Sequence, residues 1–259
     1  MIEFTERFVQ VAGHELKLLE AGSGSPLLVC HDELGHPGAL AWHAALAKTH
    51  KLIVPIQPGF VSERIPWLRS VRDLAAFYGF LVRQEGWRGC DVIGFSFGGW
   101  VAAEMAVGDP DLFNRMVLVA PFGIKPKEDF IMDMFPIASA DYLRASVKDP
   151  QETPEFEILY GEPSPQQFED WEDARAECAR LAWQPYMHNL SLPDLLRGVR
   201  GPAALILRGA DDAILPMDAA RCYAASLPDA QLTIFPDTGH RPEVECTAAF
   251  LDAVTNFLH

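Results

Sequence analysis

The chain has 259 residues, 49% of them hydrophobic and 22% charged, with a formal net charge of −15. That balance supports a sizeable buried core and excludes disordered, collagen-like and disulfide-scaffold classes. The acidic surface repels phosphate, which makes nucleic acid and anionic membranes poor partners.

Short strands are expected over Phe4–Val11 and Glu15–Glu20, joined at Gly13-His14. A buried strand follows at Leu27–Cys30, then a helix over Ala39–Lys48 and a strand over Lys51–Ile56. Val71–Gln84 is amphipathic, with Leu74, Phe77, Tyr78 and Leu81 on one face. Asp91–Phe95 reads as a strand, Gly98–Val107 as a helix and Met116–Ala120 as a strand. The alternation implies a mostly parallel sheet with helices on both faces. It stops after Pro121 and resumes with Ala203–Leu207, a helix over Met217–Ser226, a strand over Gln231–Phe235 and a final helix over Val244–Leu258. We therefore expect a core of residues 1–122 and 196–259, interrupted by a helical insertion over 123–195. Between Lys125 and Leu195 the chain holds 15 acidic and 6 basic residues. Within that insertion Ser164-Pro165-Gln166-Gln167 is a capping box, with Ser at the N-cap and Pro in the first helical position.

The N-terminus lacks the apolar core of a signal peptide, and the longest uncharged run, Leu34–Ala47, is too short to span a bilayer. Cys30, Cys90, Cys178, Cys222 and Cys246 are odd in number, widely spaced and form no CxxC. They read as reduced thiols, which points to a cytoplasmic protein. Oligomeric state has no sequence signature here.

The chemistry concentrates in Asp91-Val92-Ile93-Gly94-Phe95-Ser96-Phe97-Gly98-Gly99-Trp100, a strand, a Gly-x-Ser-x-Gly-Gly turn and a helix. A serine on so sharp a turn crowds its neighbours; Gly94 and Gly98 relieve that crowding, and Gly99 lets the helix approach the sheet. The helix N-terminus offers N–H groups and a positive dipole end to a developing oxyanion. This stretch resembles the α/β-hydrolase fold family, in its branch of serine hydrolases with a helical cap. The resemblance implies the chain order nucleophile, acid, histidine. Arg208-Gly209-Ala210-Asp211-Asp212-Ala213-Ile214-Leu215-Pro216 fits the acid's pattern at Asp212, with Asp211 as the alternative. Asp237-Thr238-Gly239-His240-Arg241 fits the histidine's pattern at His240. Ser96, His240 and Asp212 are thus the expected nucleophile, base and orienting acid.

By the same resemblance the oxyanion donors are the N–H groups of Glu33 and Phe97. Asp32 stands where the family usually carries glycine, and its carboxylate is expected to point away from the oxyanion. His31, Asp32, Glu33 and His36 are metal-ligand types, but Gly35 and Pro37 oppose the helix that a His-Glu-x-x-His site needs, so no metal and no cofactor are expected. Phe130, Phe135 and Trp171 in the insertion are candidates to line an apolar substrate pocket. Arg241 can pair with a substrate carboxylate, although a surface position is the favoured reading. The leading functional expectation is hydrolysis of a small, partly hydrophobic carboxylic ester through an acyl-serine. The alternatives are carbon–carbon hydrolysis of a β-diketone-like compound, or a ligand sensor with negligible turnover.

Overall fold

The computed structural model describes residues 2–259. It opens on a hairpin of β1 (Thr5–Val11) and β2 (His14–Gly22). The turn is Ala12-Gly13 rather than Gly13-His14, because His14 already pairs with Val11. Both turn residues have positive φ, 48° and 82°, the conformation that two-residue hairpin turns require. β3 (Ser25–Cys30), α1 (Ala41–Leu46), β4 (His50–Pro55) and α2 (Val71–Gln84) come next. β5 (Cys90–Phe95), α3 (Phe97–Gly108) and β6 (Phe113–Val119) complete the first half.

The insertion then supplies α4 (Ser139–Ala145), α5 (Pro154–Tyr160) and α6 (Pro165–Ala182). Ser164 caps α6 as its sequence implies, its hydroxyl accepting the Gln167 N–H at 3.1 Å. α7 (Leu192–Leu196) packs on α3 and on α8 (Met217–Ser226), so the chain has rejoined the core layer before β7 (Ala203–Gly209). β8 (Ala230–Phe235), α9 (Pro242–Glu245) and α10 (Thr247–Leu258) close the fold. The single helix expected over Val244–Leu258 is broken at Cys246, with φ −131°. The break lets the Glu245 carboxylate turn back to accept N–H groups from Gly239 and Lys148, at 2.9 and 2.8 Å.

The described strands form one sheet in the order β1-β2-β4-β3-β5-β6-β7-β8. Only β2 runs against its neighbours; β4, β3, β5, β6, β7 and β8 are mutually parallel. All six residues of β5 are buried, as expected for a central strand covered on both faces. α2 packs on α3 across one face, and α1 packs on α10 across the other. α3 is apolar all round, and its residues Phe97–Ala106 are all buried. Its one carboxylate, Glu104, accepts hydrogen bonds from Trp100 Nε1 at 3.1 Å and Asn189 Nδ2 at 2.6 Å, which meets the cost of burying it. No helix among the described residues is long and apolar enough to cross a membrane.

Candidate active site

Parallel β5, β7 and β8 deliver their C-terminal ends to one edge of the sheet, where open α/β folds gather reactive groups. Ser96 sits between β5 and α3 at φ 49°, ψ −110°, a conformation that L-residues avoid unless the surroundings enforce it. Gly94 and Gly98 permit it. A Cβ on Gly98 would lie 2.2 Å from the Cys30 carbonyl and 2.3 Å from that of His31; one on Gly94 would lie 2.5 Å from the Gly98 carbonyl. The turn is pinned by Ser96 N–H to the Val119 carbonyl, 2.8 Å, and by Phe122 N–H to the Ser96 carbonyl, 3.1 Å.

Ser96 Oγ lies 2.8 Å from His240 Nε2, and His240 Nδ1 lies 2.8 Å from Asp212 Oδ2. All three side chains are buried. Asp212 Oδ1 accepts the N–H groups of Ile214 and Leu215 at 2.8 and 2.9 Å, so the loop holds the carboxylate rigidly. Asp211 faces solvent and pairs with Lys148 at 2.9 Å; it is Asp212 that meets His240. Burial opposes the ionised form of both partners, but their mutual attraction wins. The carboxylate of Asp212 is held below its ordinary range and the imidazole of His240 above its own. Arg208, given no role from the sequence, is buried with Nη2 3.8 Å from Asp212 Oδ2 and helps to hold that carboxylate below its ordinary range. Close approach of the two loops depends on Gly209, whose Cβ would sit 2.1 Å from the Thr238 carbonyl.

The loop after β3 departs further from expectation. Positive φ falls at Gly35 and Gly38, not at Asp32, so a side chain at 32 meets no backbone penalty. Asp32 Oδ1 accepts the Leu34 N–H at 2.9 Å, and Oδ2 meets Arg241 Nη1 at 2.5 Å. Arg241 is therefore not on the surface: it is 4% exposed, with Nε donating to Ser146 Oγ at 2.7 Å and its guanidinium 5.7 Å from the Tyr160 ring centroid. The surface reading failed because the partner carboxylate lies 209 residues away in sequence.

Glu33, expected to serve the site through its N–H, is fully buried. Its Oε1 accepts the Tyr142 hydroxyl at 2.6 Å, and its carbonyl accepts the Cys178 thiol at 3.4 Å. Both of those partners belong to the insertion, so the loop is tied to the cap. Phe97 begins α3, where helix geometry leaves its N–H without an intrahelical acceptor. His31 uses both ring nitrogens, Nδ1 to the Asp32 carbonyl at 2.9 Å and Nε2 accepting the Gln57 N–H at 3.1 Å. It has no lone pair left for a metal.

The insertion lies over this edge. His240 N–H donates to the Ser146 carbonyl at 2.8 Å, and Met132 N–H to the Ile214 carbonyl at 2.9 Å. Of the residues expected to line a pocket, Trp171 borders a cavity of about 210 Å³ with Tyr160, His31, Asp32 and Gly35. Phe135 packs edge-on against Trp183 and Tyr186. Phe130 is 88% exposed and borders a separate open cavity with Lys125, Lys127 and Tyr186. Phe122, unmarked in the sequence, is buried with its ring 5.8 Å from that of His240.

Residues 27–253 match the model of the alpha/beta hydrolase family. A 2-hydroxymuconate semialdehyde hydrolase from Pseudomonas sp. strain CF600 is 26% identical, covering 97% of this chain and 93% of its own length. A 2-hydroxy-6-oxo-6-(2'-aminophenyl)hexa-2,4-dienoic acid hydrolase from Metapseudomonas resinovorans is 25% identical over 98% and 91%. Among solved structures, the 2-hydroxy-6-oxo-6-phenylhexa-2,4-dienoate hydrolase of Rhodococcus sp. strain RHA1 superposes with a TM-score of 0.79 at 19% identity, over 100% of this chain and 99% of its own. The compounds in these names carry a carbonyl and a carboxylate but no ester, so hydrolysing them breaks a carbon–carbon bond. These relatives overturn the expectation of a carboxylic ester hydrolase in favour of the carbon–carbon alternative. The chain belongs to the α/β-hydrolase family.

Proposed function

We propose that this protein hydrolyses a carbon–carbon bond beside a ketone or aldehyde in a dienoate-type substrate, through an acyl-serine. The observation that carries the proposal is the unbroken row from Ser96 Oγ through His240 to Asp212, 2.8 Å at each step, in a chain whose relatives act on 2-hydroxy-6-oxo-dienoates.

Ser96 Oγ attacks the carbonyl carbon while His240 Nε2 takes its proton. Asp212 holds the tautomer with Nε2 free to accept and stabilises the imidazolium that forms. The negative charge that develops on the carbonyl oxygen falls to the N–H groups of Phe97 and Glu33. In the keto tautomer of the substrate, with C2 a carbonyl, C3=C4 a double bond and C5 a CH2, collapse of the tetrahedral intermediate at C6 breaks the C5–C6 bond, and the electron pair leaves with the C1–C5 fragment, delocalised through C3=C4 onto the C2 oxygen. Nε2–H then protonates that fragment. Water, deprotonated by His240, attacks the acyl-serine and releases a carboxylic acid. Exclusion of solvent from the row strengthens each of these electrostatic interactions.

The test is product analysis after incubation with 2-hydroxy-6-oxo-6-phenylhexa-2,4-dienoate and its shorter 6-methyl counterpart. Benzoate or acetate, formed together with a hydroxydienoate, is the expected result. Unchanged substrate in both cases overturns the proposal.

A further inference from the structure

Arg241 follows the proposed base and is buried, yet it touches neither Ser96 nor Asp212. Its guanidinium joins three elements: the loop after β3 through Asp32, the end of α4 through Ser146, and Tyr160 of α5. The Asp32 carboxylate is one residue from the Glu33 N–H that the proposed function assigns to the oxyanion. A buried carboxylate without a counter-charge there would oppose the negative charge of the transition state. With Oδ2 on Arg241 and Oδ1 on the Leu34 N–H, it is neutralised and instead shapes the turn.

The geometry points to Arg241 as a positioning residue that neutralises Asp32 and so makes a charged oxyanion loop compatible with catalysis at Ser96. The inference rests on the proposed role of Ser96, and Arg241 itself contacts no reacting atom. It carries a specific genetic signature. The loss caused by removing Arg241 is restored by removing the charge on Asp32, since an asparagine at that position keeps an oxygen for the Leu34 N–H.

The test uses a fluorophosphonate, which needs no knowledge of the substrate. The Ser96 Oγ–P bond forms as the P–F bond breaks, fluoride leaves, the serine proton passes to His240, and the phosphonyl oxygen occupies the oxyanion position. Rates of labelling are compared for wild type, Arg241→Met, Arg241→Lys and the double variant Asp32→Asn/Arg241→Met, with thermal midpoints recorded alongside. Arg241→Met is expected to label about 100-fold more slowly, the loss typical of a disabled oxyanion donor. Arg241→Lys and the double variant are each expected within about tenfold of wild type, on the same scale. A folded double variant as slow as Arg241→Met overturns the inference, and so does an Arg241→Met protein that labels normally. If Arg241→Met does not fold, the lysine and double variants decide: loss of labelling in either overturns it. A wild-type protein that fails to label, or a Ser96→Ala variant that labels equally, strikes the reading of Ser96 instead.

Discussion

Two loops meet at Ser96, and they are built on opposite principles. The elbow between β5 and α3 is a local device. Its φ of 49° is made possible by Gly94 and Gly98, two residues to either side, each of which meets a backbone carbonyl more closely than any Cβ could. The loop after β3 contains Asp32 and Glu33, both buried, and its order comes from elsewhere. Asp32 depends on Arg241, and Glu33 on Tyr142 and Cys178 of the cap. One loop is dictated by steric necessity at glycines within a few residues of the serine, the other by charge and hydrogen-bond compensation across more than a hundred. Substitutions at the elbow should therefore act directly and without rescue, whereas those at the charged loop should be graded and compensable.

The largest contrast is at the acid. Asp212→Asn removes the acceptor that selects the His240 tautomer and should lower kcat by about 10⁴-fold. Asp211→Asn, on an exposed residue that pairs with Lys148, should leave kcat unchanged. Steady-state kinetics on the two variants checks both. At the elbow, Gly98→Ala pushes a methyl group into the Cys30 and His31 carbonyls and should cost about 3 kcal/mol or more in urea unfolding, with no second-site repair.

The charged side of the site gives a pH signature. Burial pushes the Glu243 carboxyl up to about 7, with Arg241 opposing, and its Oε2 has no hydrogen-bond partner among the described residues. An acid whose folded pKa is raised favours folding below its unfolded value, and that contribution is lost as pH climbs from the ordinary glutamate range to about 7. Glu243→Gln should remove the decline and stabilise the protein at pH 8 by up to about 3 kcal/mol. The difference should vanish near pH 4, as read from urea midpoints across that range. The smallest effect belongs to Tyr142→Phe. It strips a buried hydrogen bond from Glu33 and should cost about 1–3 kcal/mol of stability while leaving fluorophosphonate labelling within a few-fold of wild type, since the Asp32 carboxylate keeps its Arg241 partner. A labelling loss as large as that expected for Arg241→Met would erase the distinction between neutralising the loop and merely tethering it.

The same contrast explains what the sequence made legible. The strand–helix alternation and the elbow are local patterns, read from period and glycine spacing, and the parallel sheet with its inserted cap follows from them. The burial of Arg241 and the cap-binding role of the Glu33 side chain are not legible in the sequence, because each side chain's partner lies more than a hundred residues away. The break at Cys246 was hidden for a related reason: Val244–Leu258 is a good helical pattern, and only the return of Glu245 to Gly239 interrupts it. The ester expectation failed on different grounds. Serine, histidine and aspartate prepare an acyl acceptor whichever bond is broken, so the leaving group leaves no mark on the motif.

The central claim is that Ser96 is the nucleophile of a carbon–carbon hydrolysis. The most direct test is the initial rate of benzoate formation from 2-hydroxy-6-oxo-6-phenylhexa-2,4-dienoate, with wild type and Ser96→Ala measured side by side. Steady release by the wild type, falling by about 10⁴-fold or more in a variant with an unchanged thermal midpoint, is the predicted result. Equal rates from the two proteins would contradict the account.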